Sequence, residues 1–409
     1  MKRFSILLSF MLLLTSCFHD GKSPVFSYDD REAFKTAVDD AFDNAVNKNG
    51  ISVAVIKDGY KVWTYARGEA SEGEAMTVET PGFAYSITKT FVSALVLTQI
   101  EAGLYSLNDT VDELLGDDAD FRSLSSSQKA LININSTVEQ LLKHTSGMPD
   151  YARNVTALIG MCDPEQSWKP VDILEKIVDE PYFTPGAYRY SNTNYVLLGM
   201  IAEHVSGKEL NRLLDDAFFS KTGIEPALSP QDSIPENISH PHDDAALFGF
   251  PANSFLDMTE VLYSVFPAYN YYTGTGRSTW AAGGIIAIAE DLALWGYELY
   301  DEDGNAVTSS VRRILKASAP GDGDYGYGVS HNVFTYDDGT DGEKYGHGGS
   351  APGYKTLLRY EVNQNISVAI MTNTNNIADT TSTSTDADLG LVDREALVDA
   401  LLNAYKNNH

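Results

Sequence analysis

The sequence predicts a mixed α/β (α+β) fold: an antiparallel sheet flanked by helices, with a mainly helical second lobe. Three observations carry this. Strand-like apolar runs bounded by turn residues lie near both ends of the chain, helical patterns flank them, and the middle is mostly helix and loop. Taken in order, Asp29 to Lys48 reads as an amphipathic helix. Val53 to Lys57 and Lys61 to Ala66 read as a hairpin around Asp58-Gly59. Phe91 to Ile100 carries Phe91, Val92, Ala94, Leu95, Val96, Leu97 and Ile100, and a helix that apolar on most sides is a buried one, ending at Gly103. Glu209 to Phe219 reads as a helix. Val329 to Tyr336, Lys355 to Glu361 and Ile366 to Thr372 read as strands, and Glu395 to Tyr405 as a closing helix. The α/β lobe then comprises about residues 29–85 and 283–409 and the helical lobe about 86–282, in one domain, 29–409, with a cleft between the lobes. Thr374 to Asp388, rich in Asn, Thr, Ser and Asp, reads as a mobile surface loop. Pro267 to Trp280, with Tyr269, Tyr271, Tyr272 and Trp280, either rims the cleft or packs beneath a loop.

The N-terminus reads as an export signal. Met1-Lys2-Arg3 is basic, Phe4 to Leu14 is almost wholly apolar, and the run is too short to span a membrane. Leu14-Thr15-Ser16-Cys17 resembles a bacterial lipobox. Residues 1–16 are then a lipoprotein-type signal peptide, Cys17 the lipidated first residue, and 17–28 a linker. Phe18 stands where an Asp would mark inner-membrane retention, which hints at the outer membrane. The expected place is the bacterial cell envelope, periplasm or cell surface, with membrane contact through the lipid anchor only. Cys162 is the one other cysteine, so the exported domain has no internal disulfide. Removing Lys2 and Arg3 with the signal takes the net charge from −28 to −30, which argues against nucleic acid and against binding anionic headgroups through basic patches. No His or Cys stands at metal spacing. No cofactor and no metal are expected, and the expected state is a monomer with a small-molecule or peptide substrate.

Ser86-Ile87-Thr88-Lys89 opens the buried helix. A Ser and a Lys three residues apart share one helix face, which offers an oxygen nucleophile an amine within proton-transfer reach. Ser86 could equally be a helix N-cap. A second S-x-x-K, Ser126-Ser127-Gln128-Lys129, lies in a Ser-rich polar stretch and reads as a solvated loop or helix end. Tyr190-Ser191-Asn192 follows the turn signal Pro185-Gly186 and precedes the apolar Tyr195 to Ile201. The other Y-x-N, Tyr405-Lys406-Asn407, is in the last five residues, where chains fray. His347-Gly348-Gly349 follows Tyr325-Gly326-Tyr327-Gly328 and precedes two strand-like runs. A literal K-T-G, Lys221-Thr222-Gly223, stands 29 residues after Asn192 with Gly223 where a helix C-cap belongs, so it is set aside.

The order S-x-x-K, Y-x-N, H-x-G resembles the serine β-lactamase and penicillin-binding-protein-like superfamily, in particular class C β-lactamases, D-alanyl-D-alanine carboxypeptidases and their esterase and D-aminopeptidase relatives. Leu141-Leu142-Lys143-His144-Thr145-Ser146-Gly147-Met148 resembles the family's helix-to-loop segment. Thr184-Pro185-Gly186 through Gly199 resembles its tyrosine motif with flanks. Ala281-Ala282-Gly283-Gly284 and Asp291-Leu292-Ala293 resemble its glycine turn and following helix. The likeness runs from about Ser52 to Asn373. It implies a β-lactamase/transpeptidase-like fold and an acyl-serine hydrolase: Ser86 attacks a carbonyl, Lys89 and Tyr190 shuttle the proton, and water hydrolyses the acyl-serine. It implies oxyanion donors at the backbone N–H groups of Ser86 and Ser350, close substrate approach at Gly348 and Gly349, and an Asn192 that gives its amide to the substrate and helps hold Lys89.

Lys and Tyr ordinarily titrate near about 10.4 and 10, so either must fall by roughly two to three units to act as a base at neutral pH. A Lys89–Tyr190 pair lowers both, an ammonium stabilising a phenolate, and which of the two takes the proton stays open. His347 stands where a Lys would supply a permanent cation. As an imidazolium it would read a substrate carboxylate at low pH, with Arg277, Lys355 or Arg359 as other carriers of specificity. Gly348 lacks the hydroxyl of a Thr. Both departures disfavour an efficient β-lactamase. The expected function is hydrolysis of D-amino-acid peptides, D-alanyl-D-alanine carboxypeptidase-like, or of esters. The alternatives are an esterase or weak β-lactamase on the same site, and a catalytically silent penicillin-binding lipoprotein.

Overall fold

A computed structural model describes residues 25–46, 48–153, 168–177, 184–240, 242–243, 278–351, 353–375, 386 and 391–409. Residues 1–16, Cys17, Cys162 and Arg277 lie outside the described residues. So does the stretch Pro267 to Trp280 as far as Arg277, and Thr374 to Asp388 except Thr374, Asn375 and Asp386.

In chain order the main elements are α1 (Tyr28–Asn44), β1 (Gly50–Lys57), β2 (Lys61–Ser71), β3 (Glu74–Ala75), α2 (Thr88–Glu101), α3 (Asn192–Ser206), α4 (Ala289–Tyr300), β4 (Ser330–Thr335), β5 (Asp341–Ala351), β6 (Tyr354–Glu361), β7 (Ile366–Thr372) and α5 (Arg394–Asn407). The seven strands form one sheet in the order β3-β2-β1-β7-β6-β5-β4, antiparallel at every pairing. The N- and C-terminal pieces meet at its centre, where Ile51 faces Thr372 and Lys57 faces Ile366.

Alternation explains the burial of this seam. Successive strand side chains point to opposite faces. Ile51, Val53 and Val55 join Val368 and Ile370 in a core that includes Phe34 and Val38 of α1 and Leu397 and Leu401 of α5. Ala54, Ile56 and Ala369 face the other core, with Leu292 and Trp295 of α4. A Cβ on Gly296 would lie 2.4 Å from Ser367 Oγ and 2.8 Å from Leu358 Cδ1, so the glycine lets α4 settle onto the sheet. Ser27 opens α1 with a capping box: its Oγ accepts from Asp30 N–H at 3.0 Å and the Asp30 carboxylate accepts from Ser27 N–H at 3.1 Å.

The helical lobe is centred on α2 and α3, which touch through Ser93 Oγ and Tyr195 OH at 3.0 Å. A small sheet of Gly82–Phe83, Ile285–Ala287 and Ala227–Leu228 ties the entry of α2 to the chain before α4. Ala84 N–H donates to Ile285 O at 2.8 Å, and Ile285 N–H donates to Thr88 Oγ1 at 3.0 Å. Phe91 stacks on Trp295 at 4.0 Å, and Trp295 Nε1–H donates to Thr90 Oγ1 at 2.8 Å. The start of α2 is thus clamped on several sides before any site residue is considered.

Ser126 begins a short helix, Ser126–Leu131, capped by Ser125, and is exposed. Lys221 is exposed at the end of Ser220–Thr222, with Gly223 at φ 76°. The expected fraying at Tyr405 does not occur: α5 runs to Asn407, because Tyr405 is buried and meets Phe26 at 5.9 Å. Among the described residues no helix is long and apolar enough to cross a membrane.

Candidate active site

Ser86 sits in a single 3-10 turn, Tyr85–Ile87, that leads into α2. Every residue from Thr80 to Leu97 is buried except Ser86, which is half-buried. Tyr85 before it has φ 45°, a left-handed backbone that aromatic residues seldom adopt, and its ring lies 5.6 Å from Phe83 and 5.7 Å from Tyr354. The N-cap of α2 is Ile87, without a side-chain cap, so Ser86 is not the capping serine. Its Oγ instead accepts from Lys89 Nζ at 3.1 Å.

Lys89 is wholly buried. Its Nζ also donates to Asn192 Oδ1 at 2.8 Å and to Ala282 O at 2.6 Å. Burial pulls the amine from its ordinary 10.5 down to about 7, opposed by the negative charge of Asp150. Asp150 takes Asn192 N–H at 3.2 Å and the Asn192 side-chain amide at 3.1 Å. The amide orientation is forced, since an ammonium or amine N–H needs an oxygen and a carboxylate needs an N–H. Asn192 therefore gives one of its two amide hydrogens to Asp150 and presents its oxygen to Lys89. Asp150 was not legible in the sequence: it lies 42 residues from Asn192 and belongs to no spaced motif.

Tyr190 stands beside Ser86 with its hydroxyl buried. Burial pushes the phenol well above 10, while the neighbouring Ser86 hydroxyl opposes the rise. Lys89 Nζ lies 5.0 Å from the centre of the Tyr190 ring, against its face. The expected mutual lowering is thus corrected: the lysine goes down and the tyrosine up, because burial disfavours both charged forms and no ammonium–phenolate bond offsets it.

His347 is corrected too. It is buried, its Nε2 is 2.9 Å from Tyr325 OH and its Nδ1 is 2.5 Å from Gly348 O. Burial first, then the charge of Lys89, lowers it from 6.5 to about 3. The ring is neutral at physiological pH and both nitrogens are engaged, so it does not offer a cation to a carboxylate. Lys355 is paired with Asp386 at 2.5 Å and Arg359 with Glu395. Gly349 is where β5 meets the turn that carries Ser86. A Cβ there would fall 2.3 Å from Ala84 O and 2.2 Å from Thr356 Oγ1. Gly348 is different, with nothing nearer than 3.7 Å. Ser350, opposite Lys355 in the register, is exposed at the end of β5.

The three motifs therefore converge, with Ser86, Lys89, Tyr190, Asn192 and His347 around one buried amine. Ser126 and Lys221 stay on the surface. Among the described residues no group of three His, Cys, Asp or Glu side chains is arranged to hold a metal ion. Chemically, a hydroxyl and an amine that is half neutral near pH 7 can generate an alkoxide-like nucleophile. Tyr325 touches His347 and His144 touches Tyr325, and the sequence assigned neither of them a role.

The family model described as Beta-lactamase matches residues 38–390. A D-aminopeptidase of Brucella anthropi is 27% identical over 337 residues, which are 79% of this chain and 56% of that protein. The chain thus spans little more than half the length of this relative. The crystal structure of D-amino acid amidase from Ochrobactrum anthropi SV3 complexed with D-phenylalanine superposes with a TM-score of 0.70 at 21% identity, over 93% of this chain and 100% of that one. That of a penicillin binding protein from Bacillus halodurans gives 0.64 at 20% identity, over 90% and 98%. At such identities the structural likeness speaks to the fold, which is the antiparallel sheet flanked by helices seen here. The family match covers most of the chain, and the chain belongs to the beta-lactamase family.

Proposed function

We propose that this chain is an acyl-serine hydrolase of D-amino-acid amides and peptides. The observation that carries the reading is the contact between Lys89 Nζ and Ser86 Oγ, 3.1 Å apart, in which a wholly buried amine lowered to about 7 faces the one accessible residue of its segment. In its neutral form Lys89 takes the Ser86 proton as Oγ attacks the acyl carbon. Asn192 Oδ1 and Ala282 O steady the resulting ammonium. Tyr190, a protonated phenol beside Ser86, hands a proton to the leaving nitrogen and is recharged from Lys89. Water then attacks the acyl-serine with the roles reversed. Backbone N–H groups of Ser86 and Ser350 are the proposed oxyanion donors.

The D-amino-acid class is supported by the D-aminopeptidase relatives and the D-amino acid amidase neighbours. A neutral His347 favours amides and peptides read without a fixed cation over substrates selected by a terminal carboxylate. The same neutrality makes small esters the second reading.

A fluorophosphonate should label the purified chain at Ser86 and fail on Ser86→Ala. D-Phenylalanine amide should be hydrolysed faster than L-phenylalanine amide, a D-Ala-D-Ala peptide and a chromogenic cephalosporin. Absence of label at Ser86 would favour a silent penicillin-binding protein. Preference for the L-amide, or for p-nitrophenyl esters alone, would move the substrate class.

A further inference from the structure

Three rings next to the serine–lysine pair form one directed hydrogen-bond chain. It begins at His144, fully buried, with a left-handed φ of 55°. Its Nδ1 receives Ser191 N–H at 3.2 Å and faces the Asn194 side-chain amide at 3.2 Å. A backbone N–H can only donate, so Nδ1 bears no proton and the neutral ring carries its proton on Nε2. That Nε2–H meets Tyr325 OH at 3.3 Å, whose oxygen must accept it. The phenol proton is then directed to His347 Nε2, 2.9 Å away. His347 therefore accepts at Nε2, carries its own proton on Nδ1 and donates it to Gly348 O at 2.5 Å. Two groups with one possible role each set the directions: Ser191 N–H, which can only donate, fixes His144, and Gly348 O, which can only accept, puts the His347 proton on Nδ1.

This hydrogen-bond chain joins two of the motifs. It starts in the Tyr190-Ser191-Asn192 segment and ends on β5. Backbone groups two residues apart in a strand point to the same edge, so Gly348 O and Ser350 N–H share one. Pairing of β5 with β4 stops at Gly346, opposite Ser330, so β4 does not hold that edge at Gly348 or Ser350.

We propose that His144 and Tyr325 are positioning residues that lock His347 in its Nδ1–H tautomer and, through the Gly348 carbonyl, aim the Ser350 N–H at the developing oxyanion. The tautomer half stands on geometry alone; the oxyanion half rests on the hydrolase reading. The rings are packed for the role, with centroids 5.1 Å apart for His144 and Tyr325 and 5.5 Å for Tyr325 and His347. Among the described residues, the cations that act on these rings are Lys89 on both and Arg359 on His347, and each disfavours a cationic ring.

The test uses the whole chain with 15N-labelled histidine, resonances being assigned with His347→Gln. The expected wild-type spectrum at pH 7 has His347 protonated on Nδ1 and His144 on Nε2. Tyr325→Phe keeps the ring but removes the bridge. His347 should then populate both tautomers, and kcat on D-phenylalanine amide should fall about tenfold with KM within about twofold. A Tyr325→Phe protein with an unchanged His347 tautomer, or with kcat within about twofold of wild type, overturns the proposal. If that variant does not fold, the wild-type spectrum decides: a proton on His347 Nε2, or a His347 cation at pH 7, overturns it. A wild type that hydrolyses no acyl substrate, yet whose His347 tautomer responds to Tyr325→Phe, overturns the hydrolase reading and the oxyanion role while upholding the tautomer lock.

Discussion

Lys89 sets the pH dependence of the site. In the proposed mechanism its neutral form is the base, and burial brings it to about 7. The rate constant kcat/KM on a D-amino-acid amide should therefore rise with pH through about 7 and level off above it. Lys89→Gln should lose about 10² to 10⁴ in rate without that ionisation, the scale of a lost general base. The same shift links to folding. Between about 7 and 10.5 the unfolded chain binds more protons at Lys89 than the folded one, so this group favours the fold more as pH rises across that window. His347 gives the opposite expectation. With its ring held near about 3, profiles for a carboxylate-terminated D-peptide and for a neutral amide should coincide between about pH 5 and 8. A limb near 6.5 present only with the carboxylate substrate would show that the ring titrates after all. The sequence supplied the identities of Ser86, Lys89, Tyr190 and His347. It did not supply their protonation, which depends on how much water each has lost.

β5 is the element on which the site turns, and it was the least legible. Residues 341–351 contain four glycines and no alternating apolar pattern, so only the family resemblance, which puts the third motif on a strand, pointed to one there. Pairing with β6 makes it one, with Leu358 opposite His347 and Thr356 opposite Gly349. The two glycines of the motif should respond differently. Gly349→Ala drives a Cβ into Ala84 O and Thr356 Oγ1 and should cost about 1 to 3 kcal/mol of stability together with most activity. Gly348→Ala finds ordinary contact distances and should stay within about 0.5 kcal/mol in urea unfolding. Equal losses in both would mean that backbone freedom, not the approach of Ala84, requires the glycines. By contrast β1, β6 and β7 are apolar and β-branched enough to be read directly, and β7 matches its expected span of Ile366 to Thr372. α1 stops at Asn44, short of Lys48, because its buried residues end at Phe42.

At the scale of the whole molecule, the three motifs are separated by stretches that the fold closes up: Lys89 reaches Asn192 across 103 residues and Ala282 across 193. The surface copies are outside that convergence. Ser126→Ala and Lys221→Ala should keep activity within about twofold, and a hundredfold loss in either would relocate the site. We also propose that the chain is exported and lipidated at Cys17, which lies outside the described residues. Detergent-phase partitioning and the mass of the mature N-terminus test this, and a soluble product cleaved elsewhere would rule it out. The sequence by itself determined what is local. Ser86 and Lys89 share a helical turn because three residues make one, apolar alternation marks the strands of the central seam, and Gly223 ends its helix. Only the tertiary structure decided the chemistry of the site. Asp150 joins Asn192 and Lys89, and Tyr325 reaches His144 across 181 residues, through contacts that no spacing encodes. Desolvation then makes a lysine a base near pH 7 and a histidine a neutral link, because a side chain's pKa is a property of its surroundings.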